Sequence, residues 1–107
     1  MENQLLKICI GVPESHADAV REALGKAGAG KIGNYDFCSF SCKGTGRFRP
    51  LKGSNPSIGE IGKIEQVAEE QIQTVCYKSD LAKIIKAIKE VHPYEEPVID
   101  VYPLIKI

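Results

Sequence analysis

Hydrophobic and polar positions alternate along this chain in two rhythms, and the rhythm changes often enough to mark out each element. Leu5 to Val12 is a short β-rich apolar run ended by Pro13, which predicts a strand. One parity carries Leu6, Ile8, Ile10 and Val12 and is wholly apolar, while the other carries Leu5, Lys7, Cys9 and Gly11 and is mixed. Ser15-His16-Ala17-Asp18 then resembles a capping box, with Asp in place of the usual Glu. Ala17, Val20, Leu24 and Ala27 follow at helical spacing, and Gly28 supplies a stop. Tyr35 to Cys42, rich in aromatics and cysteine, predicts a second strand. From Lys43 to Gly62, glycine, proline, serine and asparagine dominate, which predicts a long loop or an extended hairpin excursion. Such loops are functional or mobile when they occur inside a compact domain. Residues 64–77 alternate as a third strand. Ser79 or Asp80 can cap a helix whose stripe is Leu81, Ile84, Ile85, Ile88 and Val91, the clearest periodic signal in the chain. His92-Pro93 ends it, and Val98 to Ile107 predicts a last strand.

The order β-α-β-β-α-β is the split βαβ pattern of ferredoxin-like α+β folds. Two helices would cover one face of a four-stranded antiparallel sheet. The opposite face then needs a partner, a ligand or a polar surface. With 107 residues, division would leave pieces too small for a useful core, so residues 1–107 are read as one domain.

Composition narrows the function classes. The chain is 43% apolar and 26% charged, that of an ordinary globular protein. Its 14 basic residues balance 14 acidic ones, which argues against non-specific nucleic-acid binding. No apolar run approaches the roughly 20 residues that span a membrane. Met1-Glu2-Asn3-Gln4 carries no positive n-region, so a cytoplasmic location is expected, with Cys9, Cys38, Cys42 and Cys76 as reduced thiols.

Two nucleotide-binding patterns nearly match, and both fail on context. Gly28 to Gly33 satisfies G-x-G-x-x-G, and Gly25 to Lys31 satisfies G-x-x-x-x-G-K, but Ile32 stands where Ser or Thr should follow. In both motifs the glycines must open a helix towards the phosphate, whereas here they close one. The ferredoxin-like topology hosts other activities, each testable by its residues. An acylphosphatase needs an arginine-bearing phosphate loop after the first strand, an RNA-recognition motif needs aromatics on the third, and a metal chaperone needs C-x-x-C after the first. None is present. Cys38 and Cys42, at i and i+4 of a strand, would share a face about 13 Å apart, too far to chelate one metal together. They are read as small buried hydrophobes. His16 falls in a helix's first turn, an ordinary exposed position.

Two segments concentrate chemistry. In Gly44-Thr45-Gly46-Arg47-Phe48-Arg49-Pro50, two arginines flank one aromatic in a glycine-loosened loop. They could bind a small anion by forked hydrogen bonds, or pair with local acids such as Glu60, Glu65 or Glu69 while Phe48 anchors the loop. Both readings stand. His92-Pro93-Tyr94-Glu95-Glu96-Pro97 packs an imidazole, a phenol and two carboxylates between two prolines that stiffen the turn. It is either a metal or proton-handling cluster, or a rigid linker with His92 at a helix C-terminus; the second is preferred.

HPYEEPVIDVYPL (92–104), GVPESHADAVREALGKAGAGKIGNYDFCSF (11–40) and GTGRFRPLKGSNPSIGEIGKIE (44–65) resemble the insertion domain of the Nif-three-like (YqfO) proteins. That domain is similar to CutA and PII signalling proteins, and CutA carries a related His-Pro-Tyr-Glu turn. The resemblance covers Leu5 to Leu104 and implies the ferredoxin-like fold again, here as a stand-alone copy. It implies that the family's dinuclear metal site and cyclohydrolase-type activity lie in flanking halves outside this sequence. Where family members commonly have His, this chain has Phe37, which weakens a metal site joining that position to His92. Association into homodimers or homotrimers is also implied.

The reading that follows is a non-enzymatic ligand-sensing or protein-interaction module that self-associates and has no cofactor. Its contacts are Arg47, Arg49, His92, Tyr94, Glu95 and Glu96, its ligand a small anion. An alternative is divalent-metal binding through His92, Glu95 and the thiols, similar to CutA. A weaker third is an enzyme whose site is completed between subunits by Tyr94, Glu96 and His92.

Overall fold

The computed structural model describes residues 3–105 and 107. The elements are β1 (Leu5–Pro13), α1 (Glu14–Lys26), β2 (Phe40–Phe48), β3 (Glu65–Tyr77), a 3-10 turn (Lys78–Asp80), α2 (Leu81–Val91) and β4 (Ile99–Pro103). They form one four-stranded sheet in the order β2-β3-β1-β4, every pair antiparallel. This is the ferredoxin-like α+β architecture expected from the periodicity.

The apolar parity of β1 is the heart of the core. Ile8, Ile10 and Val12 are fully buried and pack with Ile72 of β3, Val20 and Leu24 of α1, and Ile84 and Ile88 of α2. Burying each such side chain contributes about 1.5–3 kcal/mol. Leu81 and Val91, at the ends of the α2 stripe, pack against the same cluster. Both helices therefore lie on one face. Ile99 and Val101 of β4 reach that cluster too, opposite Ile10 and Ile8 in the ladder.

Strand alternation assigns the other face. It carries Cys9 and Gly11 of β1, Glu69, Gln71 and Gln73 of β3, Asp100 and Tyr102 of β4, and Phe40, Cys42, Gly44, Gly46 and Phe48 of β2. No helix covers these residues, and Phe40, Tyr77 and Tyr102 are exposed there.

Five local expectations are corrected. The second strand begins at Phe40, not Tyr35: Ile32 and Tyr35 exchange backbone hydrogen bonds of 2.9 Å, and Cys38 N–H donates to Gly30 O at 3.0 Å. Gly30 and Gly33, at φ of 80° and 56°, fold the chain back on itself before it joins the sheet. The segment from Lys43 to Phe48, read as loop, continues β2, so the irregular part is shorter, residues 49–64. The capping box does not form. α1 starts at Glu14 directly after Pro13, without a side-chain cap, and Ser15 Oγ instead lies 2.8 Å from His16 Nδ1. Nor do Ser79 and Asp80 cap α2: Ser79 pairs with Asn3, and Asp80 caps by position alone. Cys38 therefore lies in a turn, half-buried, and Cys42 is exposed, so the two do not share a strand and Cys42 is no core residue.

Candidate functional site

Pro93 cannot continue a helix and biases the residue before it to extended geometry. His92 obeys, at φ −77° and ψ 131°, and α2 stops at Val91. The turn that follows delivers a chain of side chains to the uncovered sheet face.

His92 is the root of that chain. The residue is buried, 7% exposed. Nδ1 accepts the Tyr94 backbone N–H at 3.1 Å, so the ring proton sits on Nε2, which donates to Gly11 O at 2.7 Å. Paired register between β1 and β4 ends at Ile10 and Ile99, so Gly11 is where the ladder runs out and the imidazole takes over. With both nitrogens engaged, His92 positions the turn and has no lone pair to offer a metal.

Tyr94 stands on this base. Its ring lies 5.2 Å from His92 and meets Phe48 edge-on, centroids 5.5 Å apart at 66°. Its hydroxyl donates to Glu69 Oε2 at 2.6 Å. Burial first, then the hydrogen bond to Glu69 and the charges of Glu69 and Glu65, hold the phenol well above its ordinary value of 10.

Glu69 lies across the sheet between two glycines. A Cβ on Gly46 would run into its carboxylate, and one on Gly11 would come to 3.4 Å from Oε1. The missing side chains are what make room for the carboxylate on the sheet surface. Glu95 accepts the Asn55 N–H with both oxygens, at 3.2 and 2.9 Å, tying the 49–64 loop to the turn. Together β2, the loop and the turn enclose an open groove of about 580 Å³ above the glycines.

Of the residues expected at a site, Arg47, Tyr94, Glu95 and Glu96 border this groove, whereas His92 lies behind it and Arg49 outside it. Arg47 alternates with Gly46 and Phe48 along β2, so its side chain starts from the other face although the residue borders the groove. Among the described residues neither arginine forms an ion pair, although Glu60 pairs with Lys63 and Glu70 with Arg21. In the sequence Glu69 is only one of several acids near the arginines, and nothing there marks it as a site residue. Its signal, two glycines facing one acid across a ladder, depends on a pairing that sequence does not display.

No protein-family model matches the chain. The GTP cyclohydrolase 1 type 2 homolog of Halalkalibacterium halodurans is 51% identical over 100 residues, covering 94% of this chain and 27% of that protein. A solved Bacillus cereus protein related to NIF3 superposes with a TM-score of 0.83 at 47% identity, covering 95% of this chain and 26% of its own. The chain is the counterpart of one segment of the NIF3-related proteins. It spans about a quarter of the length of the curated relatives it matches. The divalent cation tolerance protein CutA of Archaeoglobus fulgidus shares the fold at a TM-score of 0.69, covering 95% of this chain and 85% of that one. At 19% identity that likeness speaks to architecture alone.

Phe37 and His92 serve opposite ends of the sheet. The Phe37 ring packs on Gly25 of α1, beside the turn that bonds to Val75, while His92 bonds to Gly11. Val75 pairs with Lys7, four residues from Gly11, a separation of roughly 13 Å along β1. Among the described residues no three His, Cys, Asp or Glu side chains gather as a metal set. No helix among them is long and apolar enough to cross a membrane.

Proposed function

We propose that this segment is a ligand-sensing or interaction module that performs no chemistry of its own, and that its site is the groove on the helix-free face. The observation that carries this reading is convergence: the Tyr94–Glu96 turn, the β2 glycines and Glu69 meet around one volume of about 580 Å³, a size suited to a small molecule. The activity in the relatives' name is read as belonging to the larger part of those proteins that this chain does not match. Arg47 and Arg49 would serve an anionic partner at the outer side of β2, apart from the groove floor. Self-association as a dimer or trimer is supported by the exposed aromatics of the helix-free face, Phe40, Tyr77 and Tyr102.

Native mass spectrometry on protein purified without chelator tests this reading, because subunit number and adduct mass are read together. A dimer or trimer carrying an organic adduct is the expected result. The adduct should persist in Arg47→Ala/Arg49→Ala if it lies in the groove, and vanish there if it lies at the arginines. A bare monomer would contradict both the module's ligand and its self-association. A metal adduct lost on His92→Ala would favour the CutA-like alternative instead.

A further inference from the structure

Within the groove, one polar group is held in place with capacity to spare. Glu69 Oε2 accepts the Tyr94 hydroxyl, while Oε1 receives no donor among the hydrogen bonds of the described residues. An ionised carboxylate has about four acceptor positions, so most remain open. The side chain does not swing freely. Gly46 and Gly11 provide its bed, Tyr94 fixes it from the side, and His92 and Phe48 fix Tyr94.

The surroundings share its sign. Glu95, Glu96 and Asp100 also border the groove, whereas the charge of Glu70 is already matched by Arg21 at 2.7 Å. Lys43 and Arg47 border it as well, but both fall on the β2 parity opposite Gly44, Gly46 and Phe48, so their side chains start from the other face of the sheet. Phe48 and Tyr94 add an aromatic wall, and aromatic faces attract cations. A carboxylate on the floor with aromatics beside it suits a positive, N–H-bearing group better than an anion.

We infer that the groove takes a small ligand with a cationic nitrogen group, an ammonium, amidinium or guanidinium, with Glu69 as its acceptor and Tyr94 as the residue that positions Glu69. This rests on the reading of the groove as the binding site, and names the class of ligand it takes.

A matched pair of probes separates the two ideas. Benzamidine and benzoate present the same ring with opposite charge. Each is titrated into the 15N-labelled chain, and the amide signals of Gly11, Gly44 and Gly46 are followed by NMR. Benzamidine should shift them saturably in the millimolar range, and benzoate should not. Glu69→Gln should weaken benzamidine about tenfold, the loss expected for one charge-assisted hydrogen bond. Gly46→Ala, which displaces the carboxylate without removing its charge, should weaken it comparably, with the rest of the spectrum confirming the fold. Benzoate moving these signals at lower concentration, or benzamidine binding equally to Glu69→Gln, would overturn the cation inference and leave the groove as a site. If neither probe moves the groove amides, the groove reading itself fails, and this inference with it.

Discussion

Tyr94 is where stability and site geometry meet in one side chain. Its hydroxyl is half-buried against a carboxylate, an arrangement that stabilises the neutral phenol and the charged glutamate together. A hydrogen bond to a charged group contributes about 1.5–3 kcal/mol when buried, and partial exposure brings Tyr94→Phe to about 1 kcal/mol of destabilisation at pH 8. The pH dependence follows from the direction of the shift. The folded phenol titrates above the unfolded value of 10, so its contribution is full below pH 10 and is lost as pH rises further. Urea unfolding at pH 8 and pH 11 should show the parent losing more stability than Tyr94→Phe over that interval. Tyr102, raised chiefly by its contact with Cys9, keeps the same sense of dependence, so the variant's slope is reduced and not abolished. Equal losses in both proteins would contradict the half-buried, hydrogen-bonded setting of the Tyr94 phenol. At this scale the sequence was half legible. Tyr94, Glu95 and Glu96 stood out by density in a proline-bounded turn. Glu69 stood in an ordinary acidic strand and acquired its role only through the glycines that face it.

Among the elements, both helices, β1 and β3 follow their periodicity because one apolar stripe decides each of them. β2 does not, and the reason is specific. Tyr35 to Ser39 has strand-like composition, but Gly30 and Gly33 turn the chain so that Cys38 bonds to Gly30 and the sheet is joined only at Phe40. The true strand contains Gly44 and Gly46, residues that read as loop and weaken a strand locally. The same glycines bed the Glu69 carboxylate, so the feature that hid the strand is the one that makes the groove. The preceding turn can be tested by itself. Gly30 has φ of 80°, and a Cβ there would meet the Cys38 backbone. Gly30→Ala should cost about 2–3 kcal/mol, from the left-handed backbone and the clash together, and lower the thermal midpoint. An unchanged midpoint would mean that the turn adopts another path in solution.

Taken as a whole, the molecule is elongated, 47 Å in its longest dimension against 25 and 23 Å, because β2 and β3 run on past the end of β1. One sheet face is closed by helices, and the other presents the groove with exposed aromatics nearby. A sequence could anticipate that this face needs an occupant, since two helices cover only one side. It could not anticipate that the strand ladder ends at Gly11, where His92 and its turn rise over the sheet to build the groove wall. The NIF3-related proteins offer the same fold within chains about three and a half times as long, since the matched 100 residues are 27% of them. The groove residues all come from this chain, so on the proposed reading the chain should bind a small ligand by itself. Crystals of the chain soaked with fragments of mixed charge would test that most directly. The account predicts electron density for bound fragments between Phe48, Tyr94 and the floor formed by Gly44 and Gly46. Fragments gathered instead on the exposed Ile32, Tyr35 and Phe37 surface, with the groove empty, would contradict it.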